Sequence, residues 1–451
     1  MMKKLILICF ANVSLLTINA QTFVNNGATV AVKPGAVMIV KTDGVTTGSG
    51  SLENIASTTG ALKNAGQVII EGSFVNTSGV ADGFGTGSGE YRVKGDWDNN
   101  ATFTADQSTV TLYGPQQAIK GIQNGSPNPT TFYNLRDTLP GSVKTQEVDA
   151  NVSNIFSIYT AQHATADYNL TILNPNPNAI VQDDLNAAYV SSTLNGRLVR
   201  YTNQKAEYFF PTGILESNPK IREVSIVPAN ATQRIYRVRY ANNAFATNTT
   251  TVDGYDTAAK AGTVHLVNDV YYHLITSSDN DPADMSIFFD PTADNQWQSI
   301  GRWQVVPQWQ DLLTCSVLAD PRATPTSRLK MARPTWTPTS DSAHALVDTI
   351  SVKTPFNFPT AFVADGQNTA PENTYFTIIN QDNLVTLEEL SVFDRWGEMV
   401  FDSKREGTQK WYGHFNGKLA AQGNYVFRAV VRNNSSGKQY PLVTGNVSLI
   451  W

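Results

Sequence analysis

The chain has 451 residues, with 33 Lys and Arg against 38 Asp and Glu, a formal net charge of −5 and only 16% charged residues. That balance gives no basis for a nucleic-acid partner, which would want a basic face, and two cysteines cannot supply a disulfide framework. Asn, Thr, Ser and Gly fill the places of the missing charges, and short alternating runs without long helical stripes predict an all-β chain.

Lys3-Lys4, an apolar run from Leu5 to Leu16 and a small residue at Ala20 predict a secretory signal peptide over residues 1–20, cleaved to leave Gln21 first. The run falls short of the ~20 apolar residues that a bilayer crossing needs. Cleavage removes Cys9 and leaves Cys315 as the only thiol, so no internal disulfide is expected. The mature chain carries 31 basic against 38 acidic side chains, a net −7.

Residues 21–203 repeat a phrase. Gly50-Ser51-Leu52-Glu53-Asn54 returns as Gly72-Ser73-Phe74-Val75-Asn76 and as Gly95-Asp96-Trp97-Asp98-Asn99, with spacings of 22 and 23 residues. This period predicts a β-solenoid, with Gly at bends, an apolar residue inward and Asn at turns. A β-sandwich with regularly spaced turns is the alternative. The run Gly83 to Gly89 lacks G-x-G-x-x-G spacing and reads as a turn. The stretch from Gly95 through Phe132-Tyr133-Asn134-Leu135 resembles β-repeat regions of large surface proteins from gliding bacteria, which implies a surface scaffold.

Residues 204–360 predict an antiparallel β-sandwich with a Pro/Thr-rich end. Strands fit Ile221 to Val227, Ile235 to Tyr240, Thr263 to Val267, Val270 to Ile275 and Met285 to Phe289. In the second, Tyr236, Val238 and Tyr240 share one face. No cofactor is predicted. Calcium is the one ion that the loop Asp279-Asn280-Asp281-Pro282-Ala283-Asp284 would suit, although its spacing is not that of an EF-hand and a polar hairpin is the preferred reading. Trp297, Trp303 and Trp309 suit sugar stacking or core packing, and packing is preferred. The prolines from Pro321 to Pro359 mark edges and a linker, with the last domain starting at 361.

The last section, 361–451, holds four elements in order: Arg395-Trp396-Gly397, Trp411-Tyr412-Gly413, Gly423-Asn424-Tyr425 and the strand opened by Gly445. Tyr425, Phe427, Ala429 and Val431 should share a buried face of an immunoglobulin-like β-sandwich. Arg395 should lie on Trp396 or Trp411 as a cation–π pair, and the final strand should be an edge or a terminus held by pairing. These elements resemble the gliding-motility-associated C-terminal domain, the type B sorting signal of type IX secretion. The chain departs from that family at Asp394, at Tyr412, at its end and in the front motif Phe362 to Asn368.

The resemblance implies a secreted protein carried through the type IX outer-membrane translocon. It also implies retention at the cell surface by an outer-membrane β-barrel partner of the PorP/SprF kind. The expected task is adhesin-like or gliding-accessory, with surface glycans as candidate ligands; a carbohydrate-binding or carbohydrate-active protein is the alternative. Asp137-Thr138-Leu139, Asp256-Thr257-Ala258, Asp341-Ser342-Ala343 and Asp348-Thr349-Ile350 resemble the O-glycosylation sequon of bacteria with this pathway. No catalytic residue is assigned: the five histidines are scattered, and no H-E-x-x-H or G-x-S-x-G occurs. Adjacent carboxylates such as Glu388-Glu389 should face opposite sides of a strand.

Overall fold

The computed structural model describes the chain apart from residues 1–14, 20–21, 45–48, 56–60, 78–79, 83–88, 216–218, 243–254, 295, 305–306, 321, 323–327, 339–341, 350–355, 365–369, 381–384, 435–438 and 441. The described chain is almost wholly β and forms two compact units, Met1–Thr349 and Ile350–Trp451.

The first unit begins as the predicted solenoid. Successive coils place strands on parallel faces, one of eight strands from Thr22–Asn25 to Tyr189–Ser191 and one of four that includes Thr29–Val32 and Thr102–Thr104. The remaining face belongs to a 16-stranded sheet. The repeated phrase supplies the register. Ser51–Asn54, Phe74–Asn76 and Trp97–Asn99 pair in parallel, so Leu52, Phe74 and Trp97 stack inward, each fully buried. The rings of Phe74 and Trp97 lie 4.3 Å apart and nearly parallel. One coil cannot bury these side chains alone, and stacking supplies the missing wall.

The asparagines are not turn residues. They occupy the last strand position and point inward, because an amide there can donate to the amide oxygen of the next coil. Asn25 donates to Asn54 at 2.8 Å, Asn54 to Asn76 at 3.0 Å and Asn76 to Asn99 at 2.8 Å, and Asn99 donates to the Thr130 hydroxyl at 3.2 Å. Within the segment read as signal peptide, Leu15–Asn19 pairs in parallel with Val37–Lys41. The rest of that segment up to residue 14, the cleavage point Ala20-Gln21 and the glycines from Gly83 to Gly87 lie outside the described residues.

No break separates solenoid from sandwich. The strand Leu198–Thr202 pairs in parallel with the preceding coil and antiparallel with Arg234–Asn242, so one sheet runs through both. The second sheet of the sandwich has five strands, including Val224–Pro228, Ala283–Phe289 and Leu329–Trp336. Tyr236, Val238 and Tyr240 are buried in the shared core, as alternation predicts. Arg200, fully buried where solenoid meets sandwich, donates to the carbonyls of Phe209, Asn176 and Pro177 and lies over the rings of Tyr208 and Phe210. Burial lowers its pKa to about 10.

The Pro/Thr-rich stretch is not a linker throughout. Ser342–Thr349 is an interior strand between Tyr271–Ser277 and Ser299–Trp303. Pro334 is accommodated in Leu329–Trp336 beside a register shift between Ala283 and Met285. The unit boundary accordingly falls at Thr349, ahead of residue 361.

The second unit is built on a five-stranded sheet in the order Ala361–Val363, Val443–Ile450, Gly423–Asn433, Val385–Phe393, Met399–Asp402. The final strand is not an edge: it pairs in parallel with Ala361–Val363 and antiparallel with Gly423–Asn433. Among the described residues, short pairs such as His414–Phe415 with Lys418–Leu419 stand in place of a full second sheet. A separate core gathers Phe376, Leu390, Trp411, Tyr425, Phe427, Ala429 and Val431.

Candidate functional site

The sorting-domain residues divide by what holds them. Trp411 is buried and anchors the core, with Tyr425 at 4.9 Å and Phe362 at 5.3 Å. Its indole N–H donates to the His414 carbonyl at 3.1 Å. Gly413 has φ +73°, and a Cβ there would stand 2.7 Å from the Ala364 methyl and 2.8 Å from Leu449. Both the backbone and the space require glycine. Tyr425 turns its ring inward while its hydroxyl donates to the Ala421 carbonyl at 2.6 Å. Gly445 faces the ring of Phe427, where a Cβ would come to 2.6 Å. Gly423 opens the strand that carries Tyr425. These five residues build the fold.

Arg395, Trp396 and Gly397 form the tip of the hairpin joining Val385–Phe393 to Met399–Asp402. The Asp394 carboxylate accepts from the backbone N–H of Trp396 at 2.8 Å and of Glu398 at 2.9 Å. Gly397, at φ +83°, returns an N–H to the Asp394 carbonyl at 3.1 Å. The departure at Asp394 thus retains a side chain able to close the turn. Trp396 is 81% exposed, and the Arg395 guanidinium lies 5.2 Å from its ring centre. The cation–π pair is therefore the exposed Trp396 one. Of the front motif, residues 365–368 lie outside the described residues.

Other candidates have structural partners. Arg234 binds the carboxylates of Asp279, at 3.1 Å, and Asp281, so the acidic loop closes on a guanidinium where calcium was the alternative. Among the described residues no three His, Cys, Asp or Glu gather as a metal site would need. Trp309 is fully buried and Trp297 nearly so; Trp303 packs 5.5 Å from Trp309 and 5.1 Å from Tyr255. The tryptophans pack, as preferred from the sequence.

Glu388 and Glu389 differ from expectation. A register shift between Leu387 and Glu389 leaves Leu387 and Leu390 buried and both glutamates on the outer face. Each has its own cation, Arg432 for Glu388 and Lys404 at 2.6 Å for Glu389. Three histidines are fully buried. His163 sits inside the solenoid between the Asp137 carboxylate at 2.7 Å and the Gln146 amide oxygen at 3.0 Å. His273 donates to the Arg222 carbonyl at 2.8 Å, and His344 accepts from the Trp336 indole at 3.1 Å. Burial pulls His273 down to about 4 and His344 to about 3, and lowers buried Lys144 to about 8. Perturbed groups can mark active sites, but these are sealed in cores and their shifts follow from burial. Of the sequon residues, Asp137 and Ser342 are buried, Thr257 is half-buried, and Asp341 and Ile350 lie outside the described residues.

The outer-face tip is what sequence reasoning left unplaced. Its neighbours Phe393, Met399 and Val426 were legible only as alternating strand residues, not as a patch.

Residues 358–444 match the CHU_C Type IX secretion signal domain. The match spans the described sheet up to its last strand and includes every residue of the motif except Gly445, which follows directly. No curated protein and no solved structure matches the chain. No helix among the described residues is long and apolar enough to cross a membrane. The C-terminal unit thus carries a type IX secretion signal domain, and the chain bears the sorting address of a type IX cargo delivered to the cell surface.

Proposed function

We propose that the protein is a surface scaffold that a signal peptide over residues 1–20 takes across the inner membrane. The C-terminal unit then directs it through the translocon, and an outer-membrane β-barrel of the PorP/SprF kind retains it. The cargo part, solenoid and sandwich together, serves an adhesin-like or gliding-accessory task without catalysis. The observation that carries the reading is the pairing of a type IX signal domain with a solenoid whose sheet continues into the sandwich. A solenoid with a surface address suits presentation of a binding surface. The burial of Trp297 and Trp309 in the core removes the main sequence support for the carbohydrate-binding alternative.

The test is deletion of residues 350–451 in a host with type IX secretion. Retention of the truncated protein in the periplasm is expected, and its continued display on cells would overturn the sorting role. N-terminal sequencing of displayed protein should read from Gln21. Cross-linking on intact cells should recover an outer-membrane β-barrel with the full chain and not with the truncated one.

A further inference from the structure

The outer face of the C-terminal sheet has two unlike ends. At one end the charges are matched, Arg432 with Glu388 and Lys404 with Glu389. At the other end, below the hairpin tip, the cross-strand register aligns Phe393 with Met399 on one side and with Val426 on the other. Directly opposed residues on one face hold their Cβ atoms about 4.5–5.5 Å apart. Met399 is 38% and Val426 47% exposed, Phe393 is half-buried, and Trp396, at the hairpin tip between Phe393 and Met399 in the chain, is 81% exposed. The turn is specified without the side chains of Arg395 and Trp396, because Asp394 and Gly397 close it. The most exposed large apolar side chain among the described residues of the unit therefore rides on a turn closed by its own hydrogen bonds, beside a guanidinium, next to an apolar strip. Trp and Arg held in this way dominate protein interfaces, and contiguous exposed apolar surface marks a binding site.

We infer that Trp396 and Arg395, with Phe393, Met399 and Val426, form the surface by which the C-terminal unit docks on the type IX translocon. The indole enters an apolar hollow on the partner, and Arg395 meets a carboxylate at its rim. This rests on the sorting reading of the same unit, which supplies the partner. It goes further by separating docking residues from those that only build the domain, such as Trp411 and Gly413.

The experiment uses the full chain in a type IX-competent host. Trp396→Ala, Arg395→Glu and Met399→Glu are compared with Arg428→Ala, an exposed change on the same face outside the strip. Purified variants should melt within about 2 °C of the parent, as surface changes do. The three strip variants should lose at least about tenfold in the surface-to-periplasm ratio, as expected of interface anchors, while Arg428→Ala exports normally. Parent-level export of folded Trp396→Ala would overturn the inference. So would equal loss with Arg428→Ala, or a Trp396-dependent dimer of the purified chain with export unaffected. If deletion of residues 350–451 blocks export but Trp396→Ala does not, the docking surface fails and the sorting reading stands. If the deletion leaves export intact, both fail.

Discussion

Gly413 shows how little freedom a motif residue can have. Its φ of +73° disfavours any side chain, and Ala364 and Leu449 occupy the space a methyl would need. Gly413→Ala should lower stability by about 2–4 kcal/mol, combining backbone strain with overpacking. Urea unfolding of the purified chain would check it, and a change below 1 kcal/mol, about the scale of a surface substitution, would contradict the packing described. Asn76 is the solenoid counterpart. It accepts from Asn54 and donates to Asn99, all three fully or almost fully buried. Asn76 also donates to the Thr102 carbonyl at 3.0 Å, so Asn76→Ala strands one donor and two acceptors; a buried group left unpaired costs about 1–3 kcal/mol, and a loss of about 3 kcal/mol is expected in the same assay. The identity of these residues was plain in the sequence, but their orientation was not. Spacing identified the recurring Asn yet could not distinguish an exposed turn amide from an inward ladder, because both put a polar residue after an apolar one.

Among elements, the central strands of the sandwich carry its acid sensitivity. His273 on Tyr271–Ser277 and His344 on Ser342–Thr349 are opposed across one register, and both are held neutral by burial. In the unfolded chain each takes up a proton as pH falls through about 6.5, whereas the folded forms wait until about 4 and about 3. The unfolded state therefore binds more protons in that interval, and these groups withdraw stability as pH falls from 6.5 towards 4. The slope is about 1.4 kcal/mol per pH unit for each histidine. Above pH 6.5 their contribution is constant. Denaturant midpoints at pH 7 and pH 5 should differ by the equivalent of about 4 kcal/mol; equal midpoints would contradict it. Strand existence was legible from alternation, as at Tyr236, Val238 and Tyr240. The interior place of Ser342–Thr349 was not, since nearby prolines suggested a linker and only long-range pairing seats the strand between two others. At Glu388-Glu389 the alternation rule itself failed, because a bulge cannot be counted from period alone.

For the whole molecule, the C-terminal end of the chain was the most readable part, since a sorting address depends on short local patterns. The C-terminal motif gave the domain, and the match over residues 358–444 agrees with it. The sequence did not reveal that solenoid and sandwich share a sheet, because the join at Leu198–Thr202 depends on antiparallel pairing with residues 32 or more positions later. Nor did it separate the exposed tip at Trp396 from buried Trp411, two tryptophans in similar contexts.

The asparagine ladder has one more consequence, which concerns evolution. From Asn25 to Asn99 each rung meets the next through the same amide pair, and Leu52, Phe74 and Trp97 stack beside it, so a coil within this run is an interchangeable part. Length can then change by whole coils without redesign of either neighbour. Duplicating residues 73–95 should give a folded chain, extended by about 4.8 Å, with unchanged strand content by circular dichroism. Removal of half a coil should instead leave it unfolded. A lineage carrying this ladder can lengthen its solenoid by copying a segment rather than inventing one.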